Sequence, residues 1–420
     1  MSGQGMWDRR SALRAAAVMA GVAAVVPLAG EAAAEETSAD ALFKAGKFEE
    51  AGRAYEAVLR NDPTDVHAAR QRGYVGLLSN RFADAEKYLG MALALAPQDV
   101  AANRLMADCY TRQDKLVRAA PHWRAAGKEA NAKWFEAVDG EPYQLSGEVA
   151  RLPLQQMDPI PLLAGSINGG PPKRFSFYTR IASLNVSAKT AAEAGLRAVG
   201  EEIEFNGRTV WSYYGFVDSF RLGDVELRNV PVRWSDGEAM PGSGDGMIGT
   251  WIFYHFLTTF DYAGRSLILR RRTPETAARA SAGAERLPLW LAREHLTFSR
   301  GSVADSGERV VALHIGGVGS NVAGMYEGTA RQLRVRTDYE RPEESLAGGQ
   351  PVIVYPCYPK EVRLGTANAI GSYSVASANN LHTGHGFDVL ADFAHSFFKP
   401  YNITLDFVDM NVHIGRGKAA

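Results

Sequence analysis

A 34-residue period constrains the first third of this chain more than any other feature. Phe48, Phe82 and Leu116 fall 34 apart, as do Ala51, Ala85 and Ala119, and Tyr55, Leu89 and Trp123. Pro63 and Pro97 close the first two units. A small residue recurring at one place lets paired helices approach closely. A large apolar residue at another place fills the groove between pairs, and proline ends a helix because it has no N–H to continue the ladder. One such unit cannot bury its apolar face alone, so stacked helical pairs are expected over residues 38–135. The clearest units are "GKFEEAGRAYEAVLRNDP" and "NRFADAEKYLGMALALAP"; the third is degenerate.

Residues 1–34 carry a different pattern. "MSGQGMWDRRSALR" is basic, "AAAVMAGVAAVVPLAG" is apolar, and small residues follow, with cleavage expected after Ala34. This order predicts an export signal, with a periplasmic or secreted product and no stable membrane span once the signal is removed. "DRRSALR" resembles a twin-arginine signal through Arg9, Arg10 and Leu13, and departs from it at Ala12. A single uncleaved anchor is the other expectation.

Charge excludes one class of partner. With 46 Lys and Arg against 47 Asp and Glu, the chain has no basic excess for nucleic acid. The run Arg270–Arg272 reads as a solvated charge run. Cys109 and Cys357 fall in different domains and read as buried free thiols. No Cys or His cluster has zinc spacing, so no metal or cofactor is expected.

After Gly140 short alternating apolar runs appear, among them "GEVARLPL", "RTVWSYYGFV" and "DVELRNVPVRW". Period-two alternation between turn residues predicts an all-β domain. The pattern then repeats: "GDGMIGTWIFYHFLTTFDYAGRSLIL" has a counterpart in "HGFDVLADFAHSFFKPYNITLDFVDMNVHI". Two β lobes are expected, at 145–271 and 287–416, joined by a polar Ala-rich linker at 272–286.

The helical period resembles the tetratricopeptide repeat, whose surface usually binds a partner protein or peptide. A helical cap on the following domain is the alternative. The β half, from the turn before "AAEAGL" through "RLGDVELRNVPV" to "DGMIGTWIFYHFL", resembles the retropepsin and pepsin-like aspartic peptidases. The resemblance implies a double-lobed β fold in which each lobe supplies one Asp from a D-T-G motif. Two close carboxylates cannot both ionise, so one acts as base and the other as acid.

Neither lobe supplies that Asp. Aligned through "SLNVSAKTAAEAGL", the first motif falls on Thr179-Arg180-Ile181-Ala182-Ser183. Aligned through "SNVAGM", the second falls on Ile315-Gly316-Gly317-Val318-Gly319. No Asp or Glu lies between Lys173 and Ala192 or between Val310 and Tyr326. Thr179 and Ile315 are therefore degenerate motif positions, and neither is a general base for water.

Other residues are weaker catalytic candidates. Asp218 follows the aromatic run of an expected flap, and Asp245 and Asp388 stand in turns. His382 and His385 flank a Thr-Gly turn ahead of Asp388, a pattern suited to acid–base work; no third metal ligand is near. The expected ligand cleft takes in Thr179, Arg180, Ser183, Tyr213, Tyr214, Gly316 and Gly317. The leading expectation is an exported pepsin-like protein without the dyad, holding a peptide or small apolar ligand between its lobes, with the helical repeats as a docking module. The alternatives are non-proteolytic chemistry on a small molecule, such as cyclisation or isomerisation, and an aspartic endopeptidase with relocated acids.

Overall fold

The computed structural model describes residues 38–417, apart from 206–208, 238–241, 294, 318, 348–349 and 381–383. The segment expected to be an export signal, residues 1–34, and His382 lie outside the described residues.

The 34-residue period is the period of the helices. Phe48–Asn61, Phe82–Leu95 and Leu116–Ala125 each begin on the repeated large residue. They follow Ala39–Lys44, Val66–Leu78 and Val100–Thr111. Asp65 and Asp99 cap two of these first helices, accepting from the N–H of Ala68 and Ala102. Ala51, Ala85 and Ala119 are wholly buried, as the helix approach requires.

The N-terminal helices Ala39–Lys44 and Phe48–Asn61 face the second β lobe. The ring of Phe48 lies 5.0 Å from Trp290 and 5.1 Å from Phe387. Hydrogen bonds extend the seam: Asp388 N–H donates to Lys44 O at 2.8 Å, and the Arg300 guanidinium Nη2 to Gly46 O at 3.1 Å. A seventh helix, Glu129–Glu136, packs on the first lobe. There Trp134 sits 4.8 Å from Tyr214 and 5.9 Å from Trp251, and its indole N–H donates to Gly215 O. The repeats therefore cap both lobes, and much of the face lined by their first helices is occupied within the chain.

The rest is all β. The first lobe holds an eight-stranded sheet and the second a larger one. A six-stranded antiparallel sheet joins them. It takes Val149–Pro153, Leu257–Asp261 and Ser266–Arg270 from the first lobe and Glu285–Pro288, Tyr401–Asp406 and Asn411–Arg416 from the second. The lobes meet where Thr259 opposes Thr404 and Phe260 opposes Ile403.

The linker 272–286 carries structure of its own: Thr273 and Thr276 form a capping box on the helix Pro274–Ser281, and Glu285–Pro288 enters the joining sheet. One expectation needs correction here: the run Arg270–Arg272 is not a solvated charge run. Arg270 is half-buried and donates to Thr259 Oγ1, Arg271 donates to Leu145 O, and Arg272 pairs with Asp406 and Asp409. Cys109 and Cys357 are buried free thiols, and burial pushes both up to about 12. No helix among the described residues is long and apolar enough to cross a membrane.

Candidate functional site at the lobe junction

Each lobe brings one strand to the junction, and the two strands are built alike. Lys173–Phe177 runs parallel to Gly246–Ile248, and Arg309–Leu313 runs parallel to Asp392–Phe393. Phe177 opposes Ile248 as Leu313 opposes Phe393. The next residue repeats the match: Tyr178 N–H donates to Ile248 O and His314 N–H donates to Phe393 O. Tyr178 and His314 are thus equivalent, one at each strand end. They stand one residue before the positions reached by aligning through the downstream loops, Thr179 and Ile315.

Thr179 and Ile315 instead tie the lobes together. Thr179 Oγ1 donates to Leu313 O at 2.9 Å and accepts from Ile315 N–H at 3.1 Å. Thr179 N–H donates to Ile315 O at 3.0 Å, and Thr179 O accepts from Thr250 Oγ1 at 3.1 Å. Both residues are fully buried, so neither lines a ligand cleft. Valine at Thr179 leaves the Leu313 carbonyl and the Ile315 N–H without this partner. The expected loss is about 1–3 kcal/mol in denaturant unfolding, with Thr179→Ser costing under about 1 kcal/mol because it keeps the hydroxyl.

Most of the other expected cleft residues are also placed in packing roles. Gly317 lies against the Tyr178 ring, and Gly316 rests on the Phe177 carbonyl. Ser183 is buried and donates to Asn185 Oδ1. Tyr213 stacks on Trp234, whereas Tyr214, on the opposite face of the strand, is buried against Trp134 and bonds Glu202. Asp218 and Asp388 are exposed and stand outside the junction cluster. Asp245 accepts from the Arg174 N–H at 2.8 Å and shapes its turn. His385 is buried, with its ring 5.4 Å from Phe298 and 5.7 Å from Phe387, and is not a surface histidine.

Arg180 does enter a cluster. Its Nη1 lies against His314 Nε2 and 3.5 Å from Asp392 Oδ1. His314 Nε2 is 2.7 Å from the same carboxylate oxygen. The Tyr178 ring meets the imidazole edge-on, with centroids 6.4 Å apart. Burial pushes the Tyr178 phenol up, Arg180 opposes this, and Asp392 adds to it. A cavity of about 10 Å³ beside Arg180, His314 and His385 has room for one water at most. Nε2 can accept from the guanidinium or, when it carries a proton, donate to Asp392. Which of the two contacts Nε2 makes as a hydrogen bond depends on the imidazole tautomer or charge.

Sequence reasoning missed Tyr178, His314 and Asp392. The apolar runs "FSF" and "VVAL" end just before Tyr178 and His314, so counting from strand ends finds both. Asp392 takes the place that Met247 holds in the first lobe, in register with the two short helices Thr250–Phe253 and His395–Phe398. Matching those helices would have revealed it.

His395, at the head of the second of these helices, is fully buried, 3.7 Å from Asp158 and 3.4 Å from the Tyr262 hydroxyl. Burial first and then Lys399 lower its pKa, with Asp158 working against them, to about 4. The unfolded chain takes up this proton near 6.5 and the folded chain near 4. Stability therefore falls as pH drops from 6.5 to about 4 and levels off below. The expected loss is roughly 3 kcal/mol. Urea midpoints across this range should fall less steeply for His395→Gln than for the parent.

The chain is thus a helical-repeat region followed by two β lobes with a polar cluster at their junction. A tetratricopeptide repeat model matches residues 37–100, and such repeats generally mediate protein–protein interaction. The chain matches no curated protein. Among solved structures it is similar to a retropepsin-like aspartic protease from Rickettsia conorii, at 16% identity over 30% of this chain and 94% of that one. The TM-score is 0.24, too slight a likeness to carry an argument.

Proposed function

We propose that this is an exported, two-lobed protein of aspartic-peptidase-like architecture that binds a peptide or small apolar ligand without cleaving it through a carboxylate pair. One observation carries the reading: the two equivalent strand ends bear Tyr178 and His314. A carboxylate dyad activates water because two like charges share one proton. A protonated phenol and an imidazole cannot reproduce that. The cluster at the strand ends gathers one carboxylate, Asp392, beside Arg180 and His314. An endopeptidase with relocated acids would need a second. The helical repeats supply the docking module, through the surface their seam with the lobes leaves open.

A second reading rests on the 2.7 Å contact between His314 and Asp392. It is a pair suited to general acid–base chemistry on a small molecule, such as an isomerisation or cyclisation. The deciding experiment is mass spectrometry of whatever co-purifies with the mature protein, alongside a peptide-library digest at acidic and neutral pH. A retained ligand with no cleavage supports the binding reading. Conversion of that ligand by the parent but not by His314→Gln supports the second. Peptide cleavage lost in Asp392→Asn would overturn the claim that no carboxylate-driven proteolysis occurs.

A further inference from the structure

The sheet that joins the lobes has one ordinary face and one unusual face. Phe260, Leu267, Leu269, Ile403, Leu405, Val412 and Ile414 are buried, as period-two alternation predicts for a core-facing side. The alternate residues should meet water. Instead Thr259, Asp261, Thr404 and His413 are also buried. With the helix Pro274–Ser281 they line a cavity of about 470 Å³. Register carries this polar band across the sheet, from His413 through Thr404, Thr259 and Ile268 to Arg151.

The cavity is strongly basic. Arg151, Arg270, Arg279 and Arg416 line it against a single carboxylate, Asp261, leaving an excess of three positive charges. Asp261 is already engaged: it accepts from the Gly264 N–H at 2.9 Å, and Ser266 Oγ and Arg151 each lie 3.4 Å away. Among the described residues, Arg270 and Arg416 form no salt bridge, and Arg279 interacts with Glu275 on its own helix. Arg270 is half-buried and spends one N–H on Thr259 Oγ1 at 3.0 Å. Burial and the like charge of Arg151 lower its pKa, and Asp261 only partly opposes them. His413 is 5% exposed, and its Nδ1 has no hydrogen-bond partner. Asn402, also in the cavity wall, has a buried amide oxygen without a hydrogen-bond partner.

Leaving a cation and an imidazole nitrogen unsatisfied inside a protein is costly unless something occupies the space. The volume suits a small ligand. We infer that this cavity binds a small molecule bearing a multivalent oxyanion, a phosphate or clustered carboxylates, held by Arg270 and Arg416 with His413 at its base. The site is separate from the His314–Asp392 cluster and does not depend on what that cluster binds.

The test is titration of the purified protein with inorganic phosphate, pyrophosphate and citrate. It would be followed by the melting temperature and by the His413 imidazole resonance in NMR. Saturable stabilisation together with a saturable shift of His413 is expected. Pyrophosphate binding tighter than citrate would assign a phosphate ligand, and the reverse order a carboxylate ligand. Arg270→Gln and, separately, the exposed Arg416→Gln should each weaken binding by about tenfold or more, the loss of one charge-assisted hydrogen bond. Arg53→Gln, on an exposed helix position, should change nothing. No response of His413 to any of the three anions would overturn the inference. So would responses that Arg270→Gln and Arg416→Gln leave as strong as Arg53→Gln does.

Discussion

Replacing Arg112 with methionine should destabilise the whole described chain by about 3–5 kcal/mol, read as a drop in the urea midpoint. The guanidinium and the Asp108 carboxylate have side chains 1% and 2% exposed, and they pair through two bonds, Nε to Oδ1 at 2.8 Å and Nη2 to Oδ2 at 2.6 Å. The same guanidinium reaches Leu77 O at 2.8 Å in the neighbouring helix, and Leu291 O and Arg293 O in the second lobe. It therefore joins two helical pairs to the β half. Methionine matches its length but leaves Asp108 charged without this cation in a dry seam. The comparison that isolates the charge is the double variant Asp108→Leu/Arg112→Met. It should recover much of the loss, because no unpaired carboxylate remains. If single and double variants fall equally, the carbonyl contacts rather than the ion pair hold the seam.

That seam also marks where the sequence stopped being legible. The helical period was fully readable, because Phe48, Phe82 and Leu116 report local geometry that any stacked helical pair must satisfy. Arg112 gave no signal. In sequence it is one more polar residue after a helix, and its burial depends on carbonyls 179 and 181 residues away. The same limit explains Arg270. Three consecutive arginines look solvated until a helix from the supposed linker folds over one of them. The two-lobe arrangement was readable because alternation and the repeated helix–strand unit are local. The strand-end residues were misplaced by one because the alignment counted back through loops, whose length is free, and not forward along strands, whose pairing is not. Tyr214 was misread for another reason. Both Tyr213 and Tyr214 were assigned to the cleft, although adjacent strand residues point to opposite faces, and the sequence does not say that Trp134 waits beside Tyr214.

The strongest effect at the lobe junction is expected from Gly316→Ala, about 3–5 kcal/mol in the same unfolding measurement, from left-handed strain and overpacking together. Gly316 has φ +87°, and a Cβ there would stand 2.0 Å from the Phe177 carbonyl oxygen, 2.5 Å from the Phe177 ring and 2.8 Å from its carbonyl carbon. A backbone carbonyl cannot rotate aside as a flexible side chain could. Phe177 belongs to the first lobe and Gly316 to the second, so the clash can be relieved only by moving the lobes apart. Separation would stretch the three bonds between Thr179 and the Leu313–Ile315 segment and the 2.9 Å bond from Gly316 N–H to the Tyr262 hydroxyl. It would also draw Arg180, on the first lobe, away from His314 and Asp392 on the second. Gly316→Ala should therefore lose stability and the Arg180–His314 contact together. Thr179→Ser, which keeps the hydroxyl bonds, should retain both. A Gly316→Ala protein with the parent's unfolding midpoint would mean the lobes do not approach as closely as these distances require.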